Sequence, residues 1–388
     1  RRKYQAGGGR AGGVALCPCI FPAVPLTESQ FGALIEAEDE TTLCGTREGA
    51  HMATVTLGKT GLQIEKNGFG CLPIQRATRE EAASLLRRAV DGGMNYFDTA
   101  RAYTDSEEKM GYAFRGMRDK VVIATKSQAT TGTQMKEHLE ASLRALGTDY
   151  IDVYQFHNQA FCPRPGGEDG LYDAALEAQA QGKIRFISIT NHRLSVAREA
   201  IDSGLYATLQ FPYSYLSGPQ EQELVDKCRE RGMGFIAMKA MAGGLLRDGT
   251  VAAAWMALQP DVVPIWGVQH QWELDQFLAC VKQTPDLTPQ AKQIIEQDRK
   301  ELSGDFCRSC GYCMPCPEGI QINQCARMGL LLRRMPTEEY LTEYWQEEMR
   351  KIQNCLFCGR CKRKCPYGLN VPRLLKANYE VYQTYLKK

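Results

Sequence analysis

The sequence has no long apolar run. None reaches the roughly 18–20 residues that a membrane-spanning helix needs, so no helical span is expected. It also lacks an excess of either charge. Lysine and arginine number 47 against 45 aspartates and glutamates, a net charge of +2, so neither nucleic acid nor a membrane surface is called for as a partner. No secretory signal pattern is present, and the 16 cysteines lack the density of a small disulfide framework. Eight of them fall in two tight clusters, at 307–316 and 355–365. Clustered cysteines in a long chain read as metal sites in a reducing, cytoplasmic compartment.

At 388 residues the chain is long enough for one barrel of about 250 residues and a smaller domain. Residues 1–51 stand apart, with glycine- and proline-rich pieces and no sustained periodicity. They are expected to be disordered or a non-native upstream extension. Glu36, Glu38, Asp39 and Glu40 are wrong for a transit peptide. Cys17 and Cys19 form a lone C-x-C, too weak a signal for a metal site.

From Val55 the pattern becomes regular. Thr60-Gly61-Leu62 is the turn of a small hairpin suited to closing a barrel floor. Gly68–Leu72 starts a series of short apolar strands, each followed by an amphipathic helix. Strands are expected near 95–100, 121–126, 151–157, 185–190, 207–211, 234–239 and 262–268. Helices fall between them, at 79–90, 106–115, 133–146, 171–181, 194–203, 219–231, 250–259 and 272–281. Eight such units predict a closed (β/α)8 TIM barrel over residues 52–286. Residues 287–388 are expected to form a helical linker and a small, mainly helical ferredoxin-like iron–sulfur domain. Helices are expected there over 290–302, 337–353 and 372–385.

The chemistry gathers where barrel strands end. Asp98 closes the second strand, Tyr103 follows in the next loop, Lys126 closes the third strand and His157 the fourth. A carbonyl that accepts a hydride must also accept a proton. An ordinary phenol, with a pKa near 10, donates reluctantly at neutral pH. A lysine beside it would lower that pKa, an aspartate would hold the lysine, and a histidine would orient the carbonyl oxygen.

With these four residues in this order the chain resembles the aldo/keto reductase family, over Val55 to about Lys282. The resemblance implies that Tyr103 is the acid, Lys126 its tuner, Asp98 the partner of Lys126, and His157 the orienting group. It further implies a bound nicotinamide cofactor, NADP or NAD. Thr190 and Asn191 match the family's carboxamide pair, Gln210 shares that task, and Tyr213 matches the aromatic residue stacked on the nicotinamide. Gly243 and Gly244 match the loop along the pyrophosphate. Glu273 stands near a position where NADP-preferring members carry arginine, and an acid there suits a ribose hydroxyl better than a 2′-phosphate. The substrate implied is a small carbonyl compound or alcohol, whose identity the motifs leave open.

The cysteine motifs are Cys307-x₂-Cys310-x₂-Cys313-x₂-Cys316-Pro317 and Cys355-x₂-Cys358-x₂-Cys361-x₃-Cys365-Pro366. The second follows the bacterial ferredoxin run, and the first is one residue shorter before its last cysteine. In such runs three cysteines bind one cubane and the fourth binds the other. The expected sets are Cys307, Cys310 and Cys313 with Cys365, and Cys355, Cys358 and Cys361 with Cys316, holding two 4Fe–4S clusters. Zinc is the alternative, although zinc ribbons pair their cysteines more widely. The resemblance extends to the subgroup of aldo/keto reductases that carry this extension. Two functions therefore stand side by side: carbonyl reduction, and electron transfer or regulation with the barrel as scaffold. A redox protein partner is expected if the clusters pass electrons outward.

Overall fold

The hairpin comes first in the computed structural model, which describes residues 54–302 and 304–387. The extension assigned to residues 1–51 lies outside the described residues. Strand β1 (Thr54–Thr56) pairs antiparallel with β2 (Gln63–Glu65) through Val55 opposite Ile64. Its turn is seated by Gly58, whose φ is +52 and where a Cβ would fall 2.3 Å from the Gly234 nitrogen. Only glycine permits that approach. Leu57 and Ile64 are thereby driven into the barrel's lower end, among Tyr96, Val153, Ile236 and Val263. The floor is closed by apolar packing.

Eight parallel strands then close on themselves. They are β3 (Gly68–Gly70), β4 (Tyr96–Asp98), β5 (Val122–Ser127), β6 (Ile151–His157), β7 (Ile184–Thr190), β8 (Thr208–Pro212), β9 (Gly234–Met238) and β10 (Val262–Gly267), with β10 pairing back to β3. Alternation decides which side chains face inward. Tyr96, Ala124, Val153 and Ile236 fill the interior, whereas Phe97, Ile123, Leu209 and Phe235 pack outward against the helices.

The helices are α1 (Arg79–Asp91), α2 (Ser106–Ala113), α3 (Gly132–Leu146), α4 (Leu171–Ala180), α5 (Leu194–Ser203), α6 (Pro219–Arg231), α7 (Gly249–Ala257) and α8 (Gln271–Lys282). Local signals set their ends. Thr78 and Glu81 form a reciprocal capping box at α1, and Asp248 accepts from the Thr250 and Val251 nitrogens at α7. All eight expected units are present, with boundaries within a few residues of those read from the sequence.

Helix α9 (Pro289–Glu301), capped by Thr288, ties the barrel to the cysteine-rich segment. Its Asp298 accepts from the Tyr215 hydroxyl at 2.5 Å and pairs with Arg334, whose Nε donates to the Leu245 carbonyl at 2.7 Å. Two short helices unforeseen in the sequence follow, α10 (Ile322–Cys325) and α11 (Met328–Arg334). The helix expected over 337–353 is broken. A 3₁₀ turn over Thr337–Tyr340 stops, Thr342 caps a new helix α12 (Glu343–Arg350), and a second 3₁₀ turn runs to Asn354. Thr342 accepts from the Trp345 nitrogen, so it starts a helix where continuous periodicity would have carried one through. Helices α13 (Arg360–Lys364) and α14 (Val371–Leu386) complete the fold. Asn378 on α14 accepts from the Gly329 nitrogen and donates to the Ala326 carbonyl, locking α14 onto α11.

Candidate active site and cysteine centre

Parallel strands aim Asp98, Lys126 and His157 into the same end of the barrel. Lys126 Nζ donates to Asp98 Oδ2 at 2.6 Å and to the Thr99 carbonyl at 2.5 Å, and both side chains of the pair are buried. The other side of Asp98 accepts from Gln155 Nε2 at 3.1 Å, while Gln210 Nε2 stands 3.4 Å from Oδ2. Burial pushes the Asp98 carboxyl up, against the downward pull of Lys126 and the two amides. Tyr103 rides on the tight loop after β4, where its nitrogen donates to the Ala100 carbonyl and Thr99 bonds Ser106. Its ring centroid lies 5.1 Å from Lys126 Nζ and 6.0 Å from the His157 ring, which it meets nearly edge-on. The four residues form one constellation.

Their electrostatics differ from the sequence expectation in one respect. Tyr103 stands above the ordinary phenol value, because burial and then the negative charge of Asp98 disfavour the phenolate. Lys126, engaged by Asp98 and Thr99, does not outweigh these two effects, so the phenol is not brought below its ordinary value as the sequence suggested. His157 is lowered to about 3, by burial first and Lys126 second, so its imidazole is neutral across the physiological range. Its Nδ1 is buried without a hydrogen-bond partner among the described residues, as are Oε1 of Gln155 and Oε1 of Gln210.

The expected cofactor positions separate into two groups. Thr190 and Gln210 face the interior at the mouth. Asn191 does not present a free amide: it donates to the Gln159 carbonyl at 2.8 Å and accepts from the nitrogens of His192 and Arg193, both at 2.9 Å. Tyr213 is a correction. Its ring lies in the helix layer against Phe235 and Trp255, with its hydroxyl bonded to Gln222 and Gln259, because strand alternation that turns Gln210 inward turns residue 213 outward. Glu273 is another. Its Oε2 accepts from the nitrogens of Gln269 and His270 at 2.7 and 2.8 Å, so it caps its own helix instead of waiting for a ribose. Gly243 and Gly244 do take left-handed conformations, at φ 68 and 86. Arg327 donates to the Gly243 carbonyl at 2.9 Å, and a Cβ on Gly243 would stand 3.4 Å from the Arg308 carbonyl oxygen. The close approach is made by the chain's own cysteine-rich segment.

That segment lies against the barrel mouth. Tyr312, between Cys310 and Cys313, meets the rings of His157 and His192 edge-on at centroid distances of 6.2 and 5.2 Å. Tyr367, two residues past Cys365, bonds His192 Nδ1 at 2.5 Å. Lys239, just past β9 with φ 57, is within electrostatic reach of the Cys310 and Cys307 thiols. None of Gln155, His192, Lys239, Tyr312 and Tyr367 was singled out from the sequence. Gln155 was accessible there, since it precedes His157 by two and must share its inward face. The others depend on how the two parts dock.

The thiols of the two motifs stand near one another. Cys365 is within electrostatic reach of Cys307 and Cys310. Cys316, Cys355, Cys358 and Cys361 line one small, partly enclosed pocket, together with Cys313, Pro317 and Phe357. Five thiols on one pocket, in the spacing of a ferredoxin run, suit a cubane better than the paired cysteines of a zinc ribbon.

The sequence profile of the aldo/keto reductase family matches residues 57–254, half of the chain. The chain belongs to the aldo/keto reductase family. A second profile, described as a 4Fe-4S dicluster domain, matches residues 306–370. An uncharacterized oxidoreductase of Bacillus subtilis, YrpG, is 29% identical over 260 residues, which is 58% of this chain and 78% of that protein. Among solved structures, an aldo-keto reductase from Klebsiella pneumoniae in complex with NADPH is 25% identical with a TM-score of 0.56. It covers 64% of this chain and 96% of its own. A Klebsiella pneumoniae reductase in complex with NADP and acetate is 26% identical with a TM-score of 0.54, over 63% and 95% of the two chains. This reductase is therefore an oxidoreductase with an eight-stranded barrel, to which a 4Fe–4S domain region is joined. Among the described residues no helix is long and apolar enough to cross a membrane.

Proposed function

We propose that this chain interconverts a small aldehyde or ketone and its alcohol, with NADPH or NADH as hydride donor, and that its cysteine segment holds two 4Fe–4S clusters. The observation that carries the reading is the buried Asp98–Lys126 pair at 2.6 Å beneath Tyr103, with His157 edge-on to the phenol. The nicotinamide end of a cofactor fits the mouth: Gln210 Oε1 and His157 Nδ1 are buried polar atoms with no hydrogen-bond partner among the described residues. Relatives in complex with NADPH and NADP favour the phosphorylated form, and the commitment of Glu273 to its helix cap removes the argument for NADH alone. At the glycine loop, Arg327 supplies a cation beside which a pyrophosphate would be stabilised.

The nicotinamide supplies the hydride, and the chain's residues manage the oxygen. Neutral His157 donates one hydrogen bond that orients the carbonyl. The Tyr103 hydroxyl, kept protonated by burial, hands its proton to the oxygen as negative charge develops there. Lys126, held rigid by Asp98 and Thr99, keeps a fixed positive charge below the phenol and stabilises the phenolate left behind. In the oxidative direction the same phenolate takes the proton back. Cys307, Cys310, Cys313 and Cys365 would hold the cluster nearer the barrel, and Cys355, Cys358, Cys361 and Cys316 the other.

The test is NADPH and NADH oxidation with a panel of aldehydes, on anaerobically purified protein and on Tyr103→Phe. Loss of the acid should lower kcat about 10²–10⁴-fold while nucleotide binding persists. Near-normal turnover by the variant would overturn the assignment.

A further inference from the structure

The second cysteine motif turns its apolar side chains outward. Leu356 and Phe357, lying between Cys355 and Cys358, are 66% and 68% exposed, and Phe357 is held in the left-handed region at φ 51. Cys358 itself is exposed. Helix α13 follows directly and presents Arg360, Lys362 and Arg363 to solvent. From Met349 to Tyr379 the chain has eight lysines and arginines and no aspartate or glutamate, against a net charge of +2 for the whole. Among the described residues, Arg360, Lys362 and Lys364 form no ion pair. Arg373 and Lys376, exposed on α14, carry the positive surface onward.

A side chain as apolar as Phe357 gains by leaving water, and a soluble face seldom presents two such neighbours without a partner. Here the apolar pair lines the same pocket as the thiols Cys316, Cys355, Cys358 and Cys361, and exposed cations follow it on α13 and α14. A ring of positive charge about a small apolar centre speeds the encounter with an acidic surface and sets its orientation. A nucleic acid would use the charge but would gain nothing from an exposed cluster ligand at the centre of contact. We infer that this face docks a small acidic one-electron carrier protein, of the ferredoxin or flavodoxin type, against the cluster held by Cys355, Cys358, Cys361 and Cys316. A cluster held there would accept one electron from the carrier on contact: the carrier would be oxidised by one unit and the cluster reduced by one, with no bond or proton changing place. The inference rests on the cluster assignment and does not require that the barrel reduce a carbonyl.

The experiment uses the full-length, cluster-loaded protein under anaerobic conditions, with an acidic bacterial ferredoxin as probe. Binding is followed by biolayer interferometry and electron transfer by stopped-flow absorbance, neither of which depends on carbonyl turnover. Association should weaken at least tenfold between 0.05 and 0.5 M salt, as the attraction is screened. The double charge reversal Lys362→Glu with Arg363→Glu should weaken it by a similar factor. Should that variant lose iron, Arg373→Glu with Lys376→Glu, which lies off the cysteine loop, makes the same demand. Lys120→Glu, on the barrel, should change nothing. Equal affinity across wild type and an iron-replete reversal variant would overturn the inference. So would stronger binding of single-stranded RNA, or of anionic lipid vesicles, than of the acidic carrier in direct competition.

Discussion

Tyr312, set between two cysteines of the first motif, stands edge-on to His157 with ring centroids 6.2 Å apart. A residue of the cysteine-rich segment thus forms a wall over the constellation of Asp98, Tyr103, Lys126 and His157, and it rides on the loop between Cys310 and Cys313. Removing that wall should affect substrate capture more than chemistry.

Tyr312→Ala is expected to raise KM for an aldehyde about tenfold with kcat changed little, a loss of about 1.4 kcal/mol of binding. Tyr312→Phe keeps the ring and should behave as wild type. Steady-state kinetics on iron-replete protein decide it. A fall in kcat with KM unmoved would assign Tyr312 to the chemical step instead.

Lys126 and Asp98 are nearly inaccessible to solvent, so their pairing matters to the fold. Lys126→Met leaves the Asp98 charge and the Thr99 carbonyl buried without their donor. Removing one partner of a buried pair costs about 3–5 kcal/mol. Urea denaturation should show that loss, and Lys126→Met with Asp98→Asn should recover part of it. If the single variant is as stable as wild type, water must reach Asp98.

The pH dependence of stability follows from His157. Its folded-state value is lowered to about 3, whereas an unfolded histidine takes its proton near 6.5. Between those limits the unfolded chain binds the extra proton, so stability falls as pH drops from 6.5 toward 3 and is flat above. The contribution is on the order of a few kcal/mol across the window. Denaturation midpoints at pH 7.5, 6 and 5 should fall more steeply for wild type than for His157→Gln. Parallel slopes would mean that His157 is protonated in the fold.

Much of this was legible before any coordinates. Asp98, Lys126 and His157 end strands of one barrel, and the eightfold strand–helix rhythm brings those ends together. Two of the misread residues were legible in principle. Tyr213 differs in parity from Gln210, so it had to face the helices. Glu273 stands three residues after His270, a spacing typical of a helix cap. The covering of Gly243 by Arg327, and of His157 by Tyr312, could not be read. Those contacts join segments far apart in sequence, and no local propensity encodes where a second domain docks. The helix expected over 337–353 failed for a local reason, the cap at Thr342.

The cysteine pairing gives the last prediction. Cys365 belongs by sequence to the second motif, yet it lies within electrostatic reach of Cys307 and Cys310, while Cys316 of the first motif lines the cavity with Cys355, Cys358 and Cys361. Each cluster would then tie the two motifs together, and binding and folding of this segment are coupled. Fully loaded protein should carry about eight iron atoms per chain. Cys365→Ser should lower iron at the 307–313 site and leave the signal of the 355–361 site in place, as read by iron analysis and reduced-state EPR. Because Tyr312 belongs to the first motif, the same variant should raise KM for the aldehyde as Tyr312→Ala does, while the barrel keeps its own core and its Tyr103-dependent turnover. Loss of the 355–361 signal alone would show that each motif is self-contained. In that case the shorter spacing before Cys316 would have to close a cluster by itself.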